Sequence, residues 1–489
     1  MKIASNDTPV RIGWLTEQGL RLDAAPYLSG AFAAKQLLKR LPVDKDPLAD
    51  LTKGHNGGIF NGPKFSRVYV NDPEISVPFL GSTDMMEADL THLPLLSHEV
   101  ANKFPYLDIQ PGMTLISCSG TIGRMSYVRT DMRGIWSSQH VMKIQPNPDR
   151  VPSGYLNTFL RSRFGVPMIT SQAYGAIIQH IEPHHIAGLP VPRFAPEVEQ
   201  SIHELVEEAA RLRAEFQAGL EAATTDLFTR AGLEELLDLR WHEQPRDLGF
   251  AQRGITSTTL RALNYQPRAR RVLDALRSVD HLTLGEICSG GKLGSGVRFK
   301  RIDADPGHGA ARLIGQRQGF WIRPEGRWIS PSQAPPGIFA KDETVMVAAQ
   351  GTLGENEVFC RALFVTGSWL EHVYTQHFLR VVTGTPDIPG AYLFAFLRSE
   401  AMFRVLRSMS TGGKQQDIHE ALRAQIPVPL LTAPDRVRIA ETIRTSYRKR
   451  DEADQKEDQA LELLEQAVLA HSRPSEDRAA RKTRGFCSL

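Results

Sequence analysis

The sequence predicts an α+β chain in which two copies of one mixed α/β domain are each followed by a long helix. Three observations predict it: an internal repeat running through most of the chain, strand-like periods in both copies, and two apolar seams of helical spacing. At 489 residues the chain is too long for one ordinary domain and allows two or three.

The repeat is visible in the order of its landmarks. Ser119-Gly120-Thr121-Ile122-Gly123 returns 231 residues later as Gln350-Gly351-Thr352-Leu353-Gly354. Four more pairs lie 237 residues apart. These are Gln139-His140 with Gln376-His377, Tyr155-Leu156 with Tyr392-Leu393, Phe159-Leu160-Arg161-Ser162 with Phe396-Leu397-Arg398-Ser399, and Leu189-Pro190-Val191-Pro192 with Ile426-Pro427-Val428-Pro429. Upstream, Phe79-Leu80-Gly81 matches Leu313-Ile314-Gly315 at 234, and Gly57-Gly58 matches Gly290-Gly291 at 233. An offset that drifts by a few residues while the order is kept marks a duplication.

Each copy reads as a short lead-in helix (about 31–40 and 269–278), a mixed unit and a long helix. Strand periods occupy 66–70, 113–117 and 344–348, and short helices 155–162 and 392–408. Gly-Thr-Ile-Gly and Gly-Thr-Leu-Gly read as tight turns after a strand. The expected divisions are a first domain with its lead-in at 1–194, a long helix at 195–238, a linker at 239–268, a second domain at 269–431, a second long helix at 432–470 and a disordered tail at 471–489.

Pro196, Glu197 and Glu199 suit the start of the first long helix. Val198, Ile202, Leu205, Ala209, Leu212, Phe216, Leu220, Ala223 and Leu227 recur mostly at steps of three and four, the narrow seam of a coiled coil rather than a broad core-facing stripe. Roughly 30 residues of helix make a rod on the order of 50 Å long. In the second helix the seam is Ala440, Ile443, Tyr447, Leu461, Leu464 and Val468. Its middle, Arg448 to Asp458, places charge where the seam should continue, so that stretch either lies in water or meets polar groups of a partner.

A content of 41% apolar and 23% charged residues is that of a globular protein, and a net charge of +3 requires any nucleic-acid surface to arise by local clustering. Cys118, Cys288, Cys360 and Cys487 lie far apart, which argues against a zinc or disulfide framework and fits a reducing cytoplasm. The N-terminus lacks the apolar core of a signal peptide, and no apolar run reaches membrane-spanning length.

A search for catalytic residues finds none. No phosphate loop is present, and the glycine-rich stretch from Gly290 to Gly296 reads as a flexible turn. No Asn/Asp-Pro-Pro-aromatic motif of an amino-methyltransferase occurs. His184 and His185 are adjacent, so their side chains diverge, and no third metal ligand is near. His140 and His377 occupy equivalent repeat positions and suit structural hydrogen bonds. The chain does carry donor-rich loops. Arg312, Gln316, Arg317, Gln318, Arg323 and Arg327 alternate with Phe320, Trp321 and Trp328, and Lys414-Gln415-Gln416 follows later. Arginine and glutamine read base edges and hold phosphates, although such a cluster is also what a solvated basic face looks like. The polar loop residues differ between the copies, as two readers of two short sequences would.

With these landmarks the chain resembles the specificity subunit of type I restriction-modification systems. The resemblance rests on Ser119-Gly120-Thr121-Ile122-Gly123, on Tyr174-Gly175 followed by Ile181, on the Leu189-Pro190-Val191-Pro192 exit, on their second copies, and on an Arg21-Leu22-Asp23-x-x-x-Tyr27 lead-in. Departures are Gln350 in place of serine and Thr411-Gly412 where Tyr174-Gly175 would repeat. The resemblance implies two target-recognition domains with pseudo-twofold symmetry, each reading half of a bipartite double-stranded DNA site. They would be separated by two long antiparallel coiled-coil helices that also dock two methyltransferase subunits, with restriction motor-nuclease subunits completing the complex. Candidate DNA-contacting residues are Lys64, Arg67, Ser82, Thr83, Asp84, Thr121, Tyr174 and Gln179 in the first copy, and Arg298, Lys300, Gln316, Arg317, Thr352 and Lys414 in the second. Candidate subunit-interface residues are Ile202, Leu205, Leu212, Phe216, Ile443, Tyr447 and Leu464. The chain itself would hold no cofactor or metal, and S-adenosylmethionine, ATP and magnesium would belong to the partners. The competing expectations are a self-contained methyltransferase or nuclease with a divergent site, and a coiled-coil scaffold.

Overall fold

Two antiparallel strands close each globular unit, and the residues that form them carry the repeat. The computed structural model describes residues 10–17, 20, 22, 27, 30–173 and 180–472. It divides into two compact units, one drawn from residues 1–86, 93–214 and 452–489, the other from 87–92 and 215–451.

In the first unit the lead-in helix Ala31–Arg40 buries Phe32, Ala34 and Leu38. Strand Lys45–Pro47 then pairs with Pro190–Pro192, a two-stranded ribbon whose outer edges tolerate prolines that cannot donate to a ladder. The main sheet is antiparallel throughout, in the spatial order Ile59–Phe60, Val141–Ile144, Thr114–Ser117, Met125–Tyr127. In a smaller sheet, Ser76–Leu80 runs antiparallel to Leu95–Ser97 and parallel to Trp136–Ser137. Helices Ser153–Arg161 and Gly165–Thr170 close the core with Tyr155, Phe159 and Ile169 fully buried.

The second unit repeats this plan. Its lead-in helix is Pro267–Arg277, its ribbon pairs His281–Thr283 with Pro427–Pro429, and its main sheet has the order Lys292–Ser295, Phe378–Val382, Thr344–Ala348, Ala362–Val365. Ala311–Ile314 runs antiparallel to Arg327–Ile329 and parallel to Val373–Tyr374. Hydrogen bonds repeat as well. The Tyr155 hydroxyl donates to the Pro192 carbonyl, and that of Tyr392 to Pro429 at 2.7 Å. The amide of Cys118 donates to His140 and that of Ala349 to His377, both at 3.1 Å.

Several expectations change. The strand at 66–70 contracts to Tyr69–Val70, an edge strand that pairs on one side only. The helix expected over 392–408 is two, Gly390–Leu397 and Glu400–Ser408, because Ser399 caps the second by accepting from the Met402 amide at 3.2 Å. The glycine-rich stretch is not a loose turn: Lys292–Ser295 is a sheet strand, and a Cβ on Gly291 would lie 2.1 Å from the Val382 carbonyl oxygen. The linker is pinned to the second unit. Arg268 pairs with Asp247 at 3.3 Å and covers Trp241, and Asn264 donates to the Ser408 carbonyl at 2.6 Å. Arg21 and Asp23 of the lead-in motif, and residues 473–489 of the expected tail, lie outside the described residues.

The long helices are Pro196–Arg230 and Ala433–Ser472. Each unit holds half of both, running antiparallel. In the first unit Ala209 and Leu212 meet Ala453, and in the second the Phe216 and Tyr447 rings cross at 5.1 Å. Close approach in the second unit depends on Gly219, where a Cβ would lie 2.1 Å from Ser446 Oγ. The buried face is broader than a coiled-coil seam. Val206, Ala210 and Phe228 are buried beside the seam positions, because each helix half packs on its globular core as well as on its partner. Leu461 is only half-buried, and Ala460 takes its place in the seam.

The charged middle of the second helix is paired rather than solvated. Arg213, buried in the first unit, donates to Asp454 at 2.7 Å and to Glu457 at 3.1 Å. Burial opposes its charge, but Glu457 and Asp454 outweigh burial and hold the guanidinium above its ordinary range. In the second unit Lys449 meets Glu215 at 2.7 Å, and Arg450 is buried over Trp369 and Tyr447.

Candidate nucleic-acid interface

In each unit one polar edge is built from the same three side chains. In the first, Arg67 Nη2 donates to Gln139 Oε1 at 2.7 Å, and Gln139 Nε2 lies 3.1 Å from His140 Nε2. A guanidinium only donates, so the amide turns its oxygen to Arg67 and its nitrogen to His140. The ring nitrogen therefore accepts, and the imidazole is neutral. Burial, and then the Arg67 charge, hold His140 below the usual imidazole range. Beside this cluster the loop from Ser119 to Gly123 leaves the strand Thr114–Ser117. Gly120 and Gly123 have φ of +78° and +87°, and a Cβ on Gly123 would meet Thr170 Cγ2 at 2.4 Å. Thr121 is exposed in this loop.

The second unit places Arg301 Nη2 3.1 Å from Gln376 Oε1, and His377 Nδ1 donates to Gln350 Oε1. Burial, then Arg301, lower the His377 pKa in the same way. Gln415 donates to Gln350 Oε1 at 3.4 Å from a hairpin formed by Ser410–Gly412 and Gln416–Ile418, with Lys414 exposed at its tip. Thr352 is exposed in the adjoining loop.

The expected contact residues fall into groups. Lys64, Arg67, Thr121, Arg298, Lys300, Thr352 and Lys414 are exposed. Ser82, Thr83 and Asp84 form a closed turn: Asp84 accepts from the Gly81 amide at 2.8 Å and from the Thr83 hydroxyl at 3.1 Å, so its carboxylate serves the backbone. Gln316 is likewise spent, donating to the Gln350 carbonyl at 2.6 Å and accepting from the Gln350 amide at 3.1 Å. Arg317 stands 3.6 Å from the buried Glu87 carboxylate. Arg327 pairs with Asp303 at 3.1 Å, and Arg312 donates to the Pro324 carbonyl while lying over Trp328. Arg317 and Arg327 of the arginine-rich loop thus face carboxylates of the protein itself. Tyr174 and Gln179 lie outside the described residues.

Of the residues expected at a subunit interface, Ile202, Leu212, Phe216, Ile443, Tyr447 and Leu464 are buried inside the chain, and Leu205 packs half-buried against the first core. Their apolar atoms are used within the chain, in the helix pairing and the globular cores. His185 is a cap, its Nδ1 accepting from the Glu182 amide at 3.0 Å, and its ring centre lies 4.0 Å from that of His184, so the two side chains do not diverge as expected. Among the described residues no group of three His, Cys, Asp or Glu could hold a metal ion, and no helix is long and apolar enough to cross a membrane. Reading the sequence passed over Gln139 and Gln376 as contact-supporting residues and left Arg301 unassigned. The signal was present, since Arg67 and Arg301 share the 234-residue offset of Phe79-Leu80-Gly81 and Leu313-Ile314-Gly315.

No family model and no curated protein matches the chain. Among solved structures it is similar to the S subunit of a type I restriction-modification system from M. genitalium, at 13% identity and a TM-score of 0.35, over 89% of this chain and 97% of that one. It is similar to the HsdS subunit from Thermoanaerobacter tengcongensis at 13% identity and a TM-score of 0.26, over 89% and 95%. A third similar chain comes from a structure of type I R-M system assembly and conformational transition, at 14% identity and a TM-score of 0.25, over 88% and 97%.

Proposed function

We propose that this chain is the sequence-specific DNA-recognition subunit of a type I restriction-modification complex, acting in the cytoplasm. Each unit reads one half of a bipartite double-stranded site, and the paired helices set the unread gap between the halves. The outward faces of those helices dock two methyltransferase subunits, and motor-nuclease subunits join them. The chain performs no bond chemistry, and S-adenosylmethionine, ATP and magnesium bind to the partners. The observation that carries this reading is the polar edge built twice on one topology, with Arg–Gln–His shared and the neighbouring loop residues different. A single basic patch would serve non-specific binding, whereas two matched frames with unlike loops suit two unlike half-sites.

The test is to co-express the full chain with its methyltransferase subunits and map the methylated positions on DNA. Two short defined blocks separated by an unspecified gap are expected. One contiguous motif, or methylation without sequence preference, contradicts the proposal.

A further inference from the structure

The arginines of the two units differ in what holds them. Arg317 and Arg327 face carboxylates, and Arg312 is tied to a carbonyl and an indole ring. Arg67 and Arg301 are each held by a neutral side-chain amide, that of Gln139 at 2.7 Å, with Arg67 also over the Phe79 ring, and that of Gln376 at 3.1 Å, and both are exposed where Arg312 is half-buried. A neutral acceptor fixes the guanidinium without cancelling its charge. One N–H is used, and the rest of the planar fork stays available to an anion. Fixing it beforehand also removes part of the rotamer entropy that binding would otherwise cost.

We infer that Arg67 and Arg301 are a matched pair of DNA-phosphate anchors, each positioned by its glutamine, that fix the register of the two units without reading sequence. The inference rests on the DNA-recognition reading and assigns a division of labour within it. The anchor is the same residue at the same place in both units, whereas the adjoining loop begins with Ser119 in one and Gln350 in the other. A residue common to two frames that read different sequences suits the invariant part of DNA, its backbone. His140 accepts from Gln139, and burial followed by the neighbouring arginine lowers the pKa of both His140 and His377, which disfavours a competing charge beside the anchors.

The experiment compares the full chain with Arg67→Ala, Arg301→Ala, Gln139→Glu and Gln376→Glu, titrated with 30-base-pair duplexes of random sequence over a range of salt. Each arginine variant is expected to weaken binding alike on all duplexes and to reduce the slope of log affinity against log salt by about 0.9, the value for one lost phosphate contact. Each Gln→Glu variant keeps the guanidinium held but cancels its charge, so it is expected to match the corresponding alanine variant with an unchanged melting temperature. In the complex with methyltransferase subunits the methylated motif stays the same. An unchanged salt slope overturns the inference, as does a loss confined to duplexes bearing one particular base. A complex that selects no sequence, with the slope still lowered by the variants, supports the anchors and overturns the bipartite reading.

Discussion

At the scale of single residues, a lysine with one hydrogen-bond acceptor lies inside the first unit's main sheet. Lys143 is fully buried, donates to the Ser138 carbonyl at 3.2 Å and lies 5.7 Å from the Phe60 ring centre. Burial pushes its pKa down to about 7. The equivalent residue of the second unit, Arg380, donates to the Gly337, Ile338 and Phe339 carbonyls, using the several donors that a guanidinium offers. Between about 7 and the ordinary lysine value of 10.5, the unfolded chain binds the Lys143 proton and the folded chain does not. Stability therefore falls as pH drops through that window, and below it the cost of this group stays at its full, constant value. Lys143→Met is expected to stabilise the protein by about 2 kcal/mol at neutral pH, with the gain vanishing above the window. Denaturant unfolding at pH 7 and near pH 10.5 checks this, and equal stability of variant and wild type at neutral pH would contradict it. The sequence made Arg67, Gln139 and His140 legible as types and positions, but not their contact, because 72 residues separate the arginine from its glutamine. The carboxylate beside Arg317 was hidden for the same reason: Glu87 faces it from far upstream in the chain.

At the scale of elements, the helix pairing combines apolar seam positions with one buried ionic cluster. Arg213→Ala would remove the cation that Asp454 and Glu457 share, leaving Arg161 beside Glu457, and is expected to cost about 3 kcal/mol. Replacing Arg213, Asp454 and Glu457 together by apolar residues of similar size is expected to recover most of that loss, since it removes the stranded charges. Thermal unfolding of the single and triple variants distinguishes the two, and a single variant as stable as wild type would contradict the assignment. Both helices were legible from periodicity alone; the first stops at Arg230, short of the expected 238, because the Ala231-Gly232 turn ends it, and the second runs to Ser472, just past the expected 470. The charged centre of the second helix left two outcomes open, because its partner Arg213 belongs to the other helix and falls outside the apolar spacing that defines the seam. The width of the buried face was missed because Val206, Ala210 and Phe228 serve the globular cores.

At the scale of the whole molecule, two sheets with the same strand order stand behind the drifting offsets read from the sequence. The division into units was less legible, since each takes half of both helices and the second also takes residues 87–92. Those memberships depend on which segments pair in space. In the proposed function the helices are a ruler between two readers. Arg213, Asp454, Glu457, Ala209, Leu212 and Ala453 all fall within residues 207–213 and 452–458, so removing both heptads together takes out Arg213 with both of its carboxylates, and the partly exposed Arg161 loses Glu457. Seven residues shorten a helix by about 10 Å, equivalent to about three base pairs of DNA. The decisive measurement is the methylated motif of this doubly shortened chain, co-expressed with its methyltransferase subunits. The two half-sites are expected to be unchanged while the gap between them shrinks by up to about three base pairs; a gap of unaltered length would contradict the account.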